Sequence, residues 1–258
     1  MKRLTLFAAL GLTACIQTTG GNVVSFDAFA RGTPEASAPF TTPNGFEVTL
    51  TRAKLTVGAL YLNQQNPQSY TLEQACIQEG IYSGEVRGGL VVDGLSGEAQ
   101  PFPVKGNGTD ALTRAAELWL TGGDILAPDD KTVILDVAGT ATRGADAFPF
   151  EASFSIGANR QVPPRNSALP GSNPLCRQRI VSPVPFEATL HEGSAVTLII
   201  DPRQWFAAVD FSGLSKVSDT PLRYRFTDSQ DSSAQPDKAL FNALRSAQGP
   251  YRLELSSP

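Results

Sequence analysis

A single imidazole limits the chemistry open to this chain. His191 is its one histidine and Met1 its one methionine, while zinc and copper sites are built from imidazole, thiolate or thioether ligands. One chain cannot assemble a histidine-rich transition-metal site from these residues, and no metal or cofactor is expected. His191 falls in His191-Glu192-Gly193-Ser194, a turn sequence in which a solvated ring is the ordinary outcome. Calcium asks for about six to eight hard oxygens. Asp124, Asp129 and Asp130 share one stretch between strands, and Asp228 and Asp231 share another. Neither spacing is that of an EF-hand, and aspartate is common in turns for local hydrogen bonding alone. A Ser–His–Asp triad would need His191 as its base, and the chain has no Gly-x-Ser-x-Gly elbow. Glu117 and Glu151 could form a hydrolytic carboxylate pair, although each sits on the polar phase of a strand, where glutamate usually faces water. Trp119 alternates with Leu118 and Leu120, and Trp205 follows Asp201-Pro-Arg-Gln. Either indole could be a ligand platform, against the commoner role of capping a core. No catalytic residue is assigned.

The N-terminus carries a stronger pattern. Lys2 and Arg3 precede an apolar run from Leu4 to Leu12, and small residues follow, which is the layout of an export signal. The run is too short to span a bilayer as a permanent helix. Leu12-Thr13-Ala14-Cys15 resembles the bacterial lipobox, and the resemblance implies cleavage before Cys15 and acylation of its sulfur. The chain then divides into a lipoprotein signal peptide (1–14), a flexible tether (15–22) and a single domain (23–258). The anchor would be palmitate-type acyl chains, each buried methylene contributing about 0.8 kcal/mol. An ordinary secretory signal with an incidental cysteine is the alternative. Ile16 follows the cysteine, rather than the aspartate linked to inner-membrane retention in some bacteria, so an outer membrane is the expected address where the host has one.

Export also bears on the other two cysteines. Cys76 and Cys176 would meet an oxidising compartment, where one disulfide is expected. It would close a loop of about 100 residues, for which the chain-entropy model gives ~4–5 kcal/mol. Two unpaired buried thiols are the alternative. The spacing is not Cys-x-x-Cys, so a redox or zinc role is not indicated.

The elements that must position these residues read as strands. The chain has 258 residues, with 18% charged, 23 Gly and 19 Pro, a composition poor in charge and rich in turn residues. The formal charge of −4 with signs interspersed leaves no footprint for nucleic acid. From Phe46 to Leu62 the sequence alternates with period two: Phe46, Val48 and Leu50 on one face, then Ala53, Leu55, Val57, Ala59 and Tyr61. The change of phase near Arg52-Ala53 calls for a bulge. Further strands are expected over 23–29, 90–95, 115–120, 133–142, 148–156, 180–190, 195–201, 205–211, 222–226 and 251–255. Two antiparallel hairpins are expected, 133–142 with 148–156 and 186–190 with 195–200, on turns containing Gly144 and Gly193. Residues 31–45, 63–88 and 158–178 read as irregular. One helix is expected over 236–247, with Pro236 near its start and Gly249 beyond its end. The sum is an all-β, antiparallel β-sandwich with one short C-terminal helix.

Three stretches resemble the MbnP-like family of exported β-sandwich proteins. They are Phe40-Thr-Thr-Pro-Asn-Gly-Phe-Glu-Val-Thr-Leu-Thr-Arg-Ala, Val196-Thr-Leu-Ile-Ile-Asp-Pro-Arg-Gln-Trp-Phe, and Ala239-Leu-Phe-Asn-Ala-Leu with Pro250-Tyr-Arg-Leu. The resemblance implies an elongated sandwich and a link to metal handling. It transfers no copper site, because one histidine and no methionine beyond Met1 leave no soft ligand set. The expectation is a non-enzymatic envelope lipoprotein that binds a small ligand or another envelope protein, or that serves as a structural component of the envelope. Metal handling of the MbnP-like type and a carboxylate-based hydrolase are its rivals.

Overall fold

A computed structural model describes residues 21–65, 82–127, 130–157, 174–228 and 233–257. In chain order these form β1 (Val23–Gly32), β2 (Phe40–Thr41), β3 (Glu47–Val57), β4 (Ala59–Asn63), β5 (Tyr82–Val86), β6 (Leu90–Asp93), β7 (Gln100–Pro101), β8 (Gly106–Thr109) and β9 (Leu112–Trp119). There follow β10 (Val133–Arg143), β11 (Asp146–Ser155), α1 (Pro174–Arg179), β12 (Ile180–Thr189), β13 (Ala195–Ile200), β14 (Ser215–Asp219), β15 (Leu222–Arg225), α2 (Gln235–Leu244) and β16 (Tyr251–Ser256). One sheet runs β12-β9-β4-β5-β8-β1-β13-β16, with β7 on β1. The other runs β14-β15-β11-β10-β3-β2, with β6 on β3. The architecture is the expected all-β, sandwich-like one. Two pairs depart from the antiparallel rule: β1 runs parallel to β13 and β11 parallel to β15.

The stretch from Phe46 to Leu62 shows how alternation becomes topology. In β3, Val48 and Leu50 are buried, Thr51 is skipped in the register with β10, and Ala53, Leu55 and Val57 then take over the core face. The expected bulge is there, opposite Ala138 and Gly139. The strand does not continue to Leu62 in one sheet. Gly58 donates to Trp119 O at 2.8 Å, and a Cβ on it would stand 2.4 Å from Thr121 O. Only glycine lets the chain pass this close to another backbone. There the chain crosses from one sheet to the other and the phase flips. Leu60 and Leu62 enter the main core, while Ala59 and Tyr61, expected on the core face, join an outer cluster.

Other differences have local causes. Strand was expected over 205–211; the backbone instead makes 3-10 turns at Pro202–Phe206 and Phe211–Gly213. The Asp201 and Asp210 carboxylates accept the N–H groups of Arg203 and Ser212, capping those turns. The turn at Gly193 forms with φ +78°, but its flanking strands do not pair as the expected hairpin. β12 goes to the sheet edge beside β9, because Pro183 and Pro185 lack the N–H that a central strand needs. β13, Ala-Val-Thr-Leu-Ile-Ile, goes between β1 and β16. The hairpin of β10 and β11 forms as expected, on Gly144 at φ +62°.

The core lies between the sheets. Phe46, Phe206, Phe211 and Phe226 are fully buried, and Phe211 touches Phe46 edge-on at 5.2 Å and Phe150 at 5.0 Å. Burying each such ring contributes roughly 1.5–3 kcal/mol. α2 buries Leu240, Phe241 and Leu244. Arg245, just beyond it, donates to Gln178 O at 2.8 Å and Arg177 O at 3.1 Å, tying this end of the chain to α1.

Candidate functional site

Two places on the nine-stranded sheet gather side chains that could carry function. The first is its outer face. Tyr61 on β4 pairs across strands with Glu117 on β9 and Glu85 on β5, and Ala59 pairs with Trp119. The rings form a ladder: Trp119 to Tyr61 at 4.4 Å, Tyr61 to Tyr82 at 4.9 Å. The Glu117 carboxylate is buried beneath it and accepts the Trp119 indole N–H and the Tyr82 hydroxyl, both at 3.4 Å. Burial raises the Tyr61 phenol above its ordinary value of 10.0; Arg87 opposes this, and Glu85 and Glu117 reinforce it. Glu85 holds Arg87 at 2.9 Å on the rim. Ala59, Ile125, Cys176 and Ile180 pack around Trp119. Beside them Asn63 is fully buried, with neither amide atom hydrogen-bonded among the described residues. The ring spacing leaves no gap for a guest between the rings.

The second place is the seam where the sheet curls until its two edges, β12 and β16, lie side by side without pairing. Asp201 N donates to Pro250 O at 2.8 Å. By antiparallel alternation Arg252 and Glu254 then bond to β13, while Leu253 and Leu255 turn their main-chain groups to the seam. The facing bank carries Pro183 and Pro185, which have no N–H to answer them. A groove of about 910 Å³ results, with Phe186, Ala188, Leu253 and Leu255 among its lining. Its polar groups include Arg114 and Glu187, and neither makes an ion pair or side-chain hydrogen bond within the described residues. Arg114 shares the core-facing side of β9 with Ala116 and Leu118, one step beyond the buried part of the strand.

The residues singled out from the sequence are placed as follows. Trp205 is not a platform: its ring is fully buried in the core beside Tyr251. Trp119 is 8% exposed and its ring is tilted against that of Tyr61 at 4.4 Å. Glu117 and Glu151 cannot flank one bond, because they stand on different sheets, and Glu151 is held by Arg225 at 2.6 Å. That guanidinium lowers the Glu151 carboxyl below its ordinary range. The His191 ring is exposed in its turn. The Asp130 carboxylate accepts from Thr132 N, Thr132 Oγ1 and Gly122 N, Asp124 from Leu126 N, and Asp228 from Ser155. These aspartates pin turns. Asp129 and Asp231 lie outside the described residues, as do Cys15 and Cys76. Cys176 is fully buried. Asn22, the last residue of the expected tether, is fixed to Asp110 by its side chain and carbonyl. Sequence reading missed the groove because it depends on two edges far apart in the chain, although the prolines of β12 mark that strand as an edge.

No protein family and no curated protein matches the chain. Among solved structures, MbnP from Methylosinus trichosporium is similar over 91% of this chain and 98% of that one, with 10% sequence identity and a TM-score of 0.34. A likeness of that degree carries no residue roles across.

Proposed function

We propose that the protein is an exported, lipid-anchored envelope protein, not an enzyme, and that its sandwich binds a ligand in the β12–β16 groove. The observation that carries the binding reading is the groove itself: about 910 Å³ between two unpaired edges, with Arg114 and Glu187, neither partnered among the described residues, on its banks. That volume lies within the usual range of small-molecule sites. The anchoring reading rests on Lys2-Arg3, the short apolar run and Leu12-Thr13-Ala14-Cys15. In the mature chain Cys15 would carry the acyl chains, and Cys76 and Cys176 would be joined.

Labelling cells with palmitate and fractionating them tests the anchor. The wild-type chain should take up label and sediment with membranes, while Cys15→Ala should stay unlabelled and be released. An unlabelled, freely soluble wild type would refute the anchor. The groove is tested by filling it. Ala188→Trp should exclude a neutral apolar dye, N-phenyl-1-naphthylamine, that the parent chain takes up.

A further inference from the structure

We infer that the end of the sandwich where β1 begins and β8 turns into β9 rests on the lipid bilayer, with Val23 and Leu112 meeting the headgroup layer; this rests on the reading that Cys15 is acylated. Reach comes first. Six residues, 16–21, separate Cys15 from Asn22, and a chain of that length extends at most roughly 25 Å. Asn22 adds nothing to that reach, because it is clipped to the domain: its Nδ2 donates to the Asp110 carboxylate at 2.8 Å, and its carbonyl accepts from Asp110 N at 3.0 Å. Direction comes second. The ten residues of β1 span roughly 30 Å at strand spacing. Turning the Gly32 end to the membrane would carry Asn22 beyond the reach of its own anchor. Surface comes third. Val23 pairs with Thr109, so Val23 and Leu112 flank the same turn, and they are 84% and 40% exposed. Two carboxylates at this end are engaged by the protein: Asp110 by Asn22, and Glu192 by the Ser25 N–H at 2.6 Å. Arg114 follows Leu112 on the same side of β9. An apolar tip backed by a guanidinium suits a phospholipid interface, where alkyl groups meet the acyl boundary and the cation meets phosphate.

The acylated full-length chain, purified from membranes and returned to phosphatidylcholine vesicles, reads this contact when some of the lipid carries a nitroxide quencher on its headgroup. Trp119 and Trp205 are buried and set the background emission of the parent chain. Leu112→Trp adds an indole at the inferred contact. Glu98→Trp adds one at an exposed position of the loop after β6, which meets the opposite end of β1 where Gly32 N donates to Ser96 O at 2.7 Å. Circular dichroism checks the fold of each variant. Leu112→Trp should lose most of the emission it adds, and Glu98→Trp should keep its own. Combining Val23→Glu with Leu112→Trp should restore part of that loss, because a carboxylate resists leaving water for the acyl boundary. Equal quenching at the two positions, quenching at neither, or no effect of Val23→Glu overturns the inference and leaves the anchor standing, provided that the protein floats with the vesicles. A parent chain that takes up no palmitate and does not float with them removes the anchor, and this contact with it.

Discussion

The guanidinium of Arg179 is fully buried, yet among the described residues its direct partners are carbonyl oxygens rather than a carboxylate. Nε donates to Ile156 O at 2.8 Å, and Nη1 to Ile125 O at 3.0 Å and Asp124 O at 3.2 Å. Burial lowers its pKa, and the charges of Asp130 and Asp124 oppose that. The residue is therefore a clasp between the loop after β9 and the end of β11. Arg179→Met keeps the stem and removes the donors, and should cost about 2–4 kcal/mol in urea unfolding; a loss below about 1 kcal/mol would show the clasp to be incidental. Asp130 gives a pH-dependent prediction. Burial raises its pKa, but hydrogen bonds from Thr132 and Gly122 and the charge of Arg179 outweigh that, leaving it below its ordinary value of 3.8. A carboxylate lowered in the folded state adds stability that is complete above the unfolded pKa and disappears as pH falls through the folded one. Melting temperature followed from pH 6 down to pH 2 should thus fall less steeply in Asp130→Asn than in wild type. At this scale the sequence is nearly mute. Nothing around Arg179 in Arg177-Gln-Arg-Ile distinguishes a clasp from a surface cation, because its carbonyl partners lie 23 to 55 residues away.

Strands were legible where alternation is regular and each face has one fate. β1, β3, β10, β11 and β16 follow from period two alone, and α2 from Leu240, Phe241 and Leu244. Partners were less legible, because a strand's neighbour depends on what the rest of the sheet leaves open. The Gly193 turn predicts a hairpin, but β12 and β13 end far apart in strand order, since the prolines confine one of them to an edge. Short strands with few apolar residues, such as β5 and β8, gave no signal; Tyr-Ser-Gly-Glu-Val and Gly-Asn-Gly-Thr pair because their neighbours demand it. The sheet crossing at Gly58 was hidden for a related reason: the alternation around it is continuous, and the demand for glycine comes from Thr121. Gly58→Ala should therefore cost about 2–3 kcal/mol, as its Cβ would meet a backbone carbonyl that cannot rotate aside. Gly45→Ala, at φ +78° with open space around it, should cost only about 1 kcal/mol. Equal losses in chemical denaturation would mean that the crossing has room to relax.

The described residues form a main core between the sheets and a second, smaller apolar cluster on the outer face of the nine-stranded sheet. Cys176 sits in the second, beside Trp119, Ile125 and Ile180. That cluster holds α1 and the loop after β9 against the sheet, and Arg179 adds its carbonyl clasp at the same place. A cluster of five buried residues contributes little beside the main core, so a covalent tie there has most to add. If Cys176 is joined to Cys76, the bridge restricts the unfolded chain far more than it alters the folded one. Two consequences then separate a bridge from mere packing. Peptide mapping without reductant should recover Cys76 and Cys176 in one fragment pair. Cys176→Ala should lose about 2–5 kcal/mol and unfold with a steeper dependence on urea, because an uncrosslinked chain exposes more surface. A buried thiol that only packs would lose stability with an unchanged slope. Adding reductant to the wild type should reproduce the steeper slope, whereas the same reductant should leave Cys176→Ala where it was.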